Sequence, residues 1–282
     1  MELDSITFDQ FIKSTNPFNN YCPDFDLNGY TLITPTGLVS LSAIIHFFTV
    51  GGVMPTVRVS DKNVRGYLIR SRFVETVFQF CDFDPPISPL EISLYEVPRG
   101  NNEELFEVTK IDNPSTLRFN LKKIVDMLEN KFHYPSNEAS DITAIISEIS
   151  QNIYDHTPGS YGFIALQTYR TLIGTKFLEV GLADFGAGIL TTLKRNPKFA
   201  YLSNDMDAIE KAIELGTSQY QDKTRGTGLY HLMETIKKHS GTVQIMSGQA
   251  KFRCRFDAYQ TPMKFPVSNY PGVSITIKID SK

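Results

Sequence analysis

The sequence predicts an α/β protein built in two parts. Three observations lead there. Strand and helix signals alternate over the first 90 residues. A different order runs over residues 116–282: two helices, two strands, two helices and three strands. Between them lies a stretch with Pro85, Pro86, Pro89, Pro98 and Pro114 and the turn Arg99-Gly100-Asn101-Asn102. At roughly 150 residues per domain, a chain of 282 residues is also long enough for about two domains.

In the first part, residues 30–34 (YTLIT) are rich in β-formers and predict a strand. The segment GLVSLSAIIHFF then places Leu38, Leu41, Ile44, Ile45 and Phe48 at helical spacing. TVRVS at 56–60 predicts a second strand. Residues 62–79 predict a second amphipathic helix, with Val64, Leu68, Phe73 and Val77 on one face. This βαβα order assigns residues 1–90 to a small α/β domain and residues 91–115 to a connecting region.

In the second part, residues 118–130 and 141–156 predict helices. Residues 161–170 and 175–184 predict consecutive strands turning at Gly174. A helix near 205–214, a Thr/Ser/Gly-rich loop and a helix at 228–239 follow. Strands at 242–247, 251–258 and 272–279 close the chain.

Charge and composition exclude several classes. Lys plus Arg total 28 and Asp plus Glu 31, a net charge of −3, which argues against a general nucleic-acid binder. The charge is uneven: 8 basic against 15 acidic residues over 1–115, and 20 against 16 over 116–282. A mildly basic second part suits a small polyanion such as a nucleotide. Cys22, Cys81 and Cys254 form neither a CxxC pair nor a zinc spacing, so a reducing cytoplasm is the expected compartment. The most apolar stretch, residues 38–54, is broken by Ser40, Ser42, His46, Gly51 and Gly52, so no membrane span is expected. The acidic N-terminus carries no export pattern.

Three motifs carry possible chemistry. In DITAIISEISQNIYDH, Ile142, Ile145, Ile146, Ile149 and Ile153 make one apolar stripe. Glu148, Asn152 and His156 form a polar line flanking it. A carboxylate there can orient or deprotonate water, and an amide oxygen suits Mg²⁺. In LEVGLADFGAGI, a strand runs into Asp184, Gly186 and Gly188. A carboxylate at a strand end can accept a hydrogen bond from an exocyclic amine. In TRGTGLYHLMETIKKHSG, Gly226, Thr227 and Gly228 open a helix whose start suits phosphate oxygens, with Lys223 and Arg225 adding positive charge. Singly, each of these reads first as ordinary structure: a solvated helix edge, a turn and a glycine-rich helix start. No P-loop occurs, Thr191 breaks a dinucleotide fingerprint, and the Asp-Phe-Gly triplet lacks the other protein-kinase motifs.

Taken in order, E-x-x-x-N-x-x-x-H, D-x-G-x-G-I, a variable segment and G-T-G-L resemble the GHKL ATPase superfamily over residues 116–282. The resemblance implies an α/β sandwich of the Bergerat type with a mixed sheet, binding ATP and Mg²⁺. It implies Glu148 as general base or water-positioning group and Asn152 as Mg²⁺ ligand. It implies Asp184 as the adenine-binding carboxylate, with Gly186 and Gly188 shaping that pocket. Gly226, Thr227 and Gly228, with Arg225 beside them, would hold the phosphates, and residues 190–225 would contain a lid.

Within the superfamily the sequence is more similar to anti-sigma factor kinases than to sensor histidine kinases. Asp155 stands where the latter carry a basic residue. His46 lies in an apolar helix and reads as a core histidine, and His133 is too close to the first motif to be a phosphoacceptor. The first part is similar to a STAS-type domain, with Thr36 where that family places a phosphorylatable serine. The implied function is a cytoplasmic Mg²⁺-ATP-dependent regulator that hydrolyses ATP or phosphorylates a protein Ser or Thr. The alternative is a nucleotide-gated interaction module with little turnover. A regulatory protein partner is expected and a homodimer is possible, with no nucleic acid and no membrane.

Overall fold

A computed structural model describes residues 1–19, 22–96, 105–155, 161–170, 176–217, 228–256 and 262–280. The architecture is mixed α/β, with three sheets among those residues.

The first part opens with β1 (Glu2–Leu3), α1 (Phe8–Thr15), β2 (Asp24–Asp26) and β3 (Leu32–Ile33). Then come α2 (Pro35–Val50), β4 (Thr56–Arg58), α3 (Lys62–Arg70), α4 (Phe73–Val77), β5 (Asp82–Asp84) and α5 (Pro89–Glu96). The helix expected over 62–79 is two helices. Asp61 caps α3 by accepting from the amides of Asn63 and Val64. Arg72 then turns left-handed at φ 58°, and the Ser71 carbonyl accepts from the Val108 amide instead of continuing the helix.

The expected strand–helix–strand unit around α2 does not lie in one sheet. β3 pairs parallel with β1, whereas β4 lies between β2 and β5 in a parallel three-stranded sheet. The single STAS-like sheet expected over residues 1–90 is therefore not formed by the described residues. Arg65 locks this region. It is buried, and its five N–H donors reach the two Glu91 oxygens and the carbonyls of Val59, Pro85 and Pro86.

The second part consists of β6 (Leu105–Ile111), α6 (Pro114–Asn130), α7 (Ser136–Asp155), β7 (Gly162–Arg170) and β8 (Lys176–Asp184). It continues with α8 (Gly188–Leu193), α9 (Asp205–Ala212), α10 (Gly228–Lys238), β9 (Thr242–Arg255) and β10 (Met263–Asp280). The strands form one sheet in the order β6-β7-β8-β10-β9. Its edge strand β6 falls inside the expected connecting region. The two closing strands expected at 242–247 and 251–258 are one long strand, β9, that runs past Gly248.

The expected mixed sheet is a correction. Every neighbouring pair in this sheet is antiparallel. The parity of the connections explains it. Among the described residues, two helices between β6 and β7 return the chain to the end where β6 finished, whereas three α-helices between β8 and β9 leave those strands co-directional but separated by β10.

The two sheet faces differ. Leu178, Val180, Leu182, Val243, Ile245, Ile275, Ile277 and Ile279 face α6–α10 and form the larger core with the Ile142–Ile153 stripe. On the opposite face, Phe163, Ala165, Ala183 and Met246 share a second core with α1 and α2. The helix α2 is mostly apolar and buried on every side from Pro35 to His46. It touches the sheet at Gly181, where an added Cβ would stand 2.7 Å from the Thr36 nitrogen. Only glycine permits that approach.

Polar rungs cross this second interface. Thr36 Oγ1 donates to Thr276 Oγ1 (3.1 Å), and the Ser40 and Ser274 hydroxyls share a hydrogen bond (2.8 Å). Buried Glu179 accepts from the Thr36 amide (3.3 Å) and pairs with Lys278 (3.1 Å). Thr36 is thus closed to a modifying enzyme in the folded chain, and a phosphoryl group there would meet the Glu179 carboxylate. The position is a buried helix start, not a phosphorylation site on an accessible loop.

Candidate functional site

The isoleucine stripe fixes α7 against the sheet and leaves Glu148 and Asn152, one turn apart, half-buried at its edge. There α7 meets the start of α10. A Cβ on Gly228 would stand 2.9 Å from Asn152 Nδ2 and 3.3 Å from Glu148 Cγ, so the missing side chain is what lets the helices close here. His231, one turn into α10, places Nδ1 3.1 Å from Glu148 Oε2. Glu148, Asn152 and Gly228, expected as site residues, therefore stand together. Arg225, Gly226 and Thr227, with Lys223 and His156, lie outside the described residues.

A second group gathers at the end of β8. Asp184 continues the alternation of Leu178, Val180 and Leu182, which directs it to the helix-layer face. Its Oδ1 accepts from the Gly186 amide at 2.7 Å. Burial pushes its carboxyl up to about 6, and hydrogen bonds from the amides of Gly186 and Val273 oppose that rise. Asp184 as a residue is half-buried, at the rim of the helix-layer face.

Gly188 opens α8, and the next amide, that of Ile189, donates to Ser247 Oγ (3.0 Å). Ser247 Oγ in turn donates to the Gly272 carbonyl (2.8 Å). This buried serine staples the glycine segment to the irregular turn of β10 between Tyr270 and Val273.

The two groups border one core: Ile189 beside Gly188, and Ile149 and Ile153 beside Glu148 and Asn152, all belong to it. His231, Ser247 and Gly272 were not singled out by sequence. Only the i, i+3 spacing of His231 from Gly228 hinted that both share a helix face.

Phe185 takes the opposite side of the strand from Asp184. Its ring lies 5.0 Å from Tyr161 and 6.1 Å from His46. His46 is the core histidine expected: Nδ1 lies 2.6 Å from the Tyr161 hydroxyl and Nε2 3.2 Å from the Thr76 carbonyl. Burial lowers its pKa to about 4, the Thr76 hydrogen bond works against that, and Lys110 adds to it.

Among the described residues, no group of three or more His, Cys, Asp or Glu side chains could hold a metal. The donor set is one amide oxygen at Asn152. That fits Mg²⁺ only in the manner in which it binds with phosphates, through few protein ligands and several waters. Among the described residues, no helix is long and apolar enough to cross a membrane.

No family model and no curated protein matches the sequence. Among solved structures, the chain is similar to one in the crystal structure of the SiaB-SiaC complex from Pseudomonas aeruginosa. The match has 14% identity and covers 69% of this chain and 99% of that one, at a TM-score of 0.31. A likeness that slight supports no functional reading.

Proposed function

We propose that the chain is a Mg²⁺-ATP-binding regulator of the GHKL kind that turns over ATP beside Glu148. The observation that carries this reading is the meeting of Glu148 and Asn152 with Gly228 at the start of α10. A helix N-terminus next to a bare glycine favours phosphate oxygens. Asn152 is the residue to hold Mg²⁺, which would neutralise charge on the phosphates. Glu148 takes the proton of a water, or of a partner's Ser or Thr hydroxyl, as that oxygen bonds to the γ-phosphorus. The bond from the γ-phosphorus to the bridging oxygen breaks, and ADP leaves with the electron pair. Asp184 is the residue to accept a hydrogen bond from the adenine amine.

The test is incubation with γ-labelled ATP and Mg²⁺, alone and with candidate partner proteins. Labelled phosphate or a labelled partner is expected from wild type, and neither from Glu148→Ala. Equal turnover by both proteins would remove Glu148 from the chemistry.

A second reading, a nucleotide-gated interaction module, is favoured by Phe185. It stands next to Asp184 yet packs on His46 and Tyr161. Tight ATP binding without ADP formation would select it.

A further inference from the structure

Resting on that reading of the site, we propose that His231 is the positioning residue for Glu148. It holds the carboxylate in the rotamer that receives the proton of the attacking hydroxyl. The contact runs between two helices rather than along one. His231 Nδ1 lies 3.1 Å from Glu148 Oε2, and Gly228, three residues earlier on the same face of α10, allows the helices to approach closely enough for it. Donation requires a proton on Nδ1, in the neutral tautomer or the imidazolium.

The competing explanation is that this contact is one rung of a structural seam. The helices α7 and α10 run antiparallel, and lower rungs exist. Lys238 Nζ lies 2.5 Å from Asp141 Oδ2, and His239 Nδ1 lies 3.8 Å from Glu138 Oε2. Glu148 and Asp141 are seven residues apart on α7, as are His231 and Lys238 on α10. The rungs therefore share a register and differ in place. The upper one lies beside Asn152 and the helix start, and the lower ones lie at the far end of α10. A rung that only holds helices together contributes little when exposed, and equally wherever it sits. A rung that aims the reacting carboxylate affects the rate of the chemical step.

The experiment compares the two rungs in the full-length chain with Mg²⁺ and ATP. His231→Ala is expected to lower kcat about ten- to a hundredfold, the effect of losing one charge-assisted hydrogen bond, with KM changed less than about twofold. His231→Asn keeps a donor near the Nδ1 position and is expected to recover most of the rate. Lys238→Ala is expected to leave kcat unchanged. His231→Ala matching Lys238→Ala in kcat overturns the proposal while leaving the Glu148 reading intact. A failure of His231→Asn to recover any rate also overturns it. No ADP from wild type, or equal ADP from wild type and Glu148→Ala, removes both the reading and this inference.

Discussion

The two faces of the five-stranded sheet solve the burial problem in opposite ways. The face under α6–α10 is mostly apolar, and Glu148, Asn152 and Asp184 stand at its rim. The face under α1 and α2 is crossed by paired polar groups: Thr36 with Thr276, Ser40 with Ser274, Glu179 with Lys278 and Gln244 with the Ser5 carbonyl. An apolar face tolerates helices that shift a little, because dispersion is non-directional. Directional hydrogen bonds at low dielectric hold α2 in one register. The face carrying the candidate chemistry is thus backed by one that cannot slide.

The largest test of this contrast is Glu179→Ala. It leaves Lys278 half-buried without its partner and the Thr36 amide without its acceptor. The expected loss is about 3–5 kcal/mol in urea unfolding, against a much smaller loss for Glu179→Gln, which keeps the acceptor. A small loss for Glu179→Ala would show that the rungs are ornamental.

Next is Gly181→Ala. The new methyl meets the backbone of Pro35 and Thr36 within 2.8 Å, where no side chain can move aside. A loss of about 1–3 kcal/mol is expected, with α2 lifted from the sheet. Faster proteolysis of the first part than of the second would report that lifting.

Smaller and opposite in sign are the two shifted groups. Asp184 has a folded pKa of about 6, above its ordinary 3.8, so its contribution is present below that value and lost as pH rises through 6. Asp184→Asn is therefore expected to raise stability at pH 7 by about 1–3 kcal/mol while weakening ATP binding. His46 has a folded pKa of about 4, below 6.5, so its contribution is present above 6.5 and lost as pH falls toward 4. His46→Leu is expected to flatten the acid limb of the stability profile. An unchanged profile in both variants would sink the pH argument.

The helix-layer face was legible in the sequence because its signal is periodic. The stripe from Ile142 to Ile153 and the even positions of β8 give both elements and the face they bury. The other face was not. Glu179, Gly181, Thr276 and Lys278 alternate with aliphatics just as they would on a sheet wetted on one side. Nothing local tells a solvated Lys278 from one paired under a helix 228 or more residues away in the chain. The candidate site was legible where residues act within one motif, as Glu148 with Asn152. It was not legible where a partner arrives from another element, as with His231 on Glu148 or Ser247 on Ile189.

The polar rungs also set a clock. Thr36 and Thr276 are 240 residues apart in the chain. At roughly 5–20 residues per second, α2 leaves the ribosome about 12–48 s before its last partner strand is made. Until β7 and β8 are made this largely apolar helix has no sheet to lie on, and until β10 is made its hydroxyl rungs lack Thr276 and Ser274. The newborn protein is most vulnerable at the element that later holds it most firmly, and chains stalled before β10 should be the ones that bind chaperones and clump.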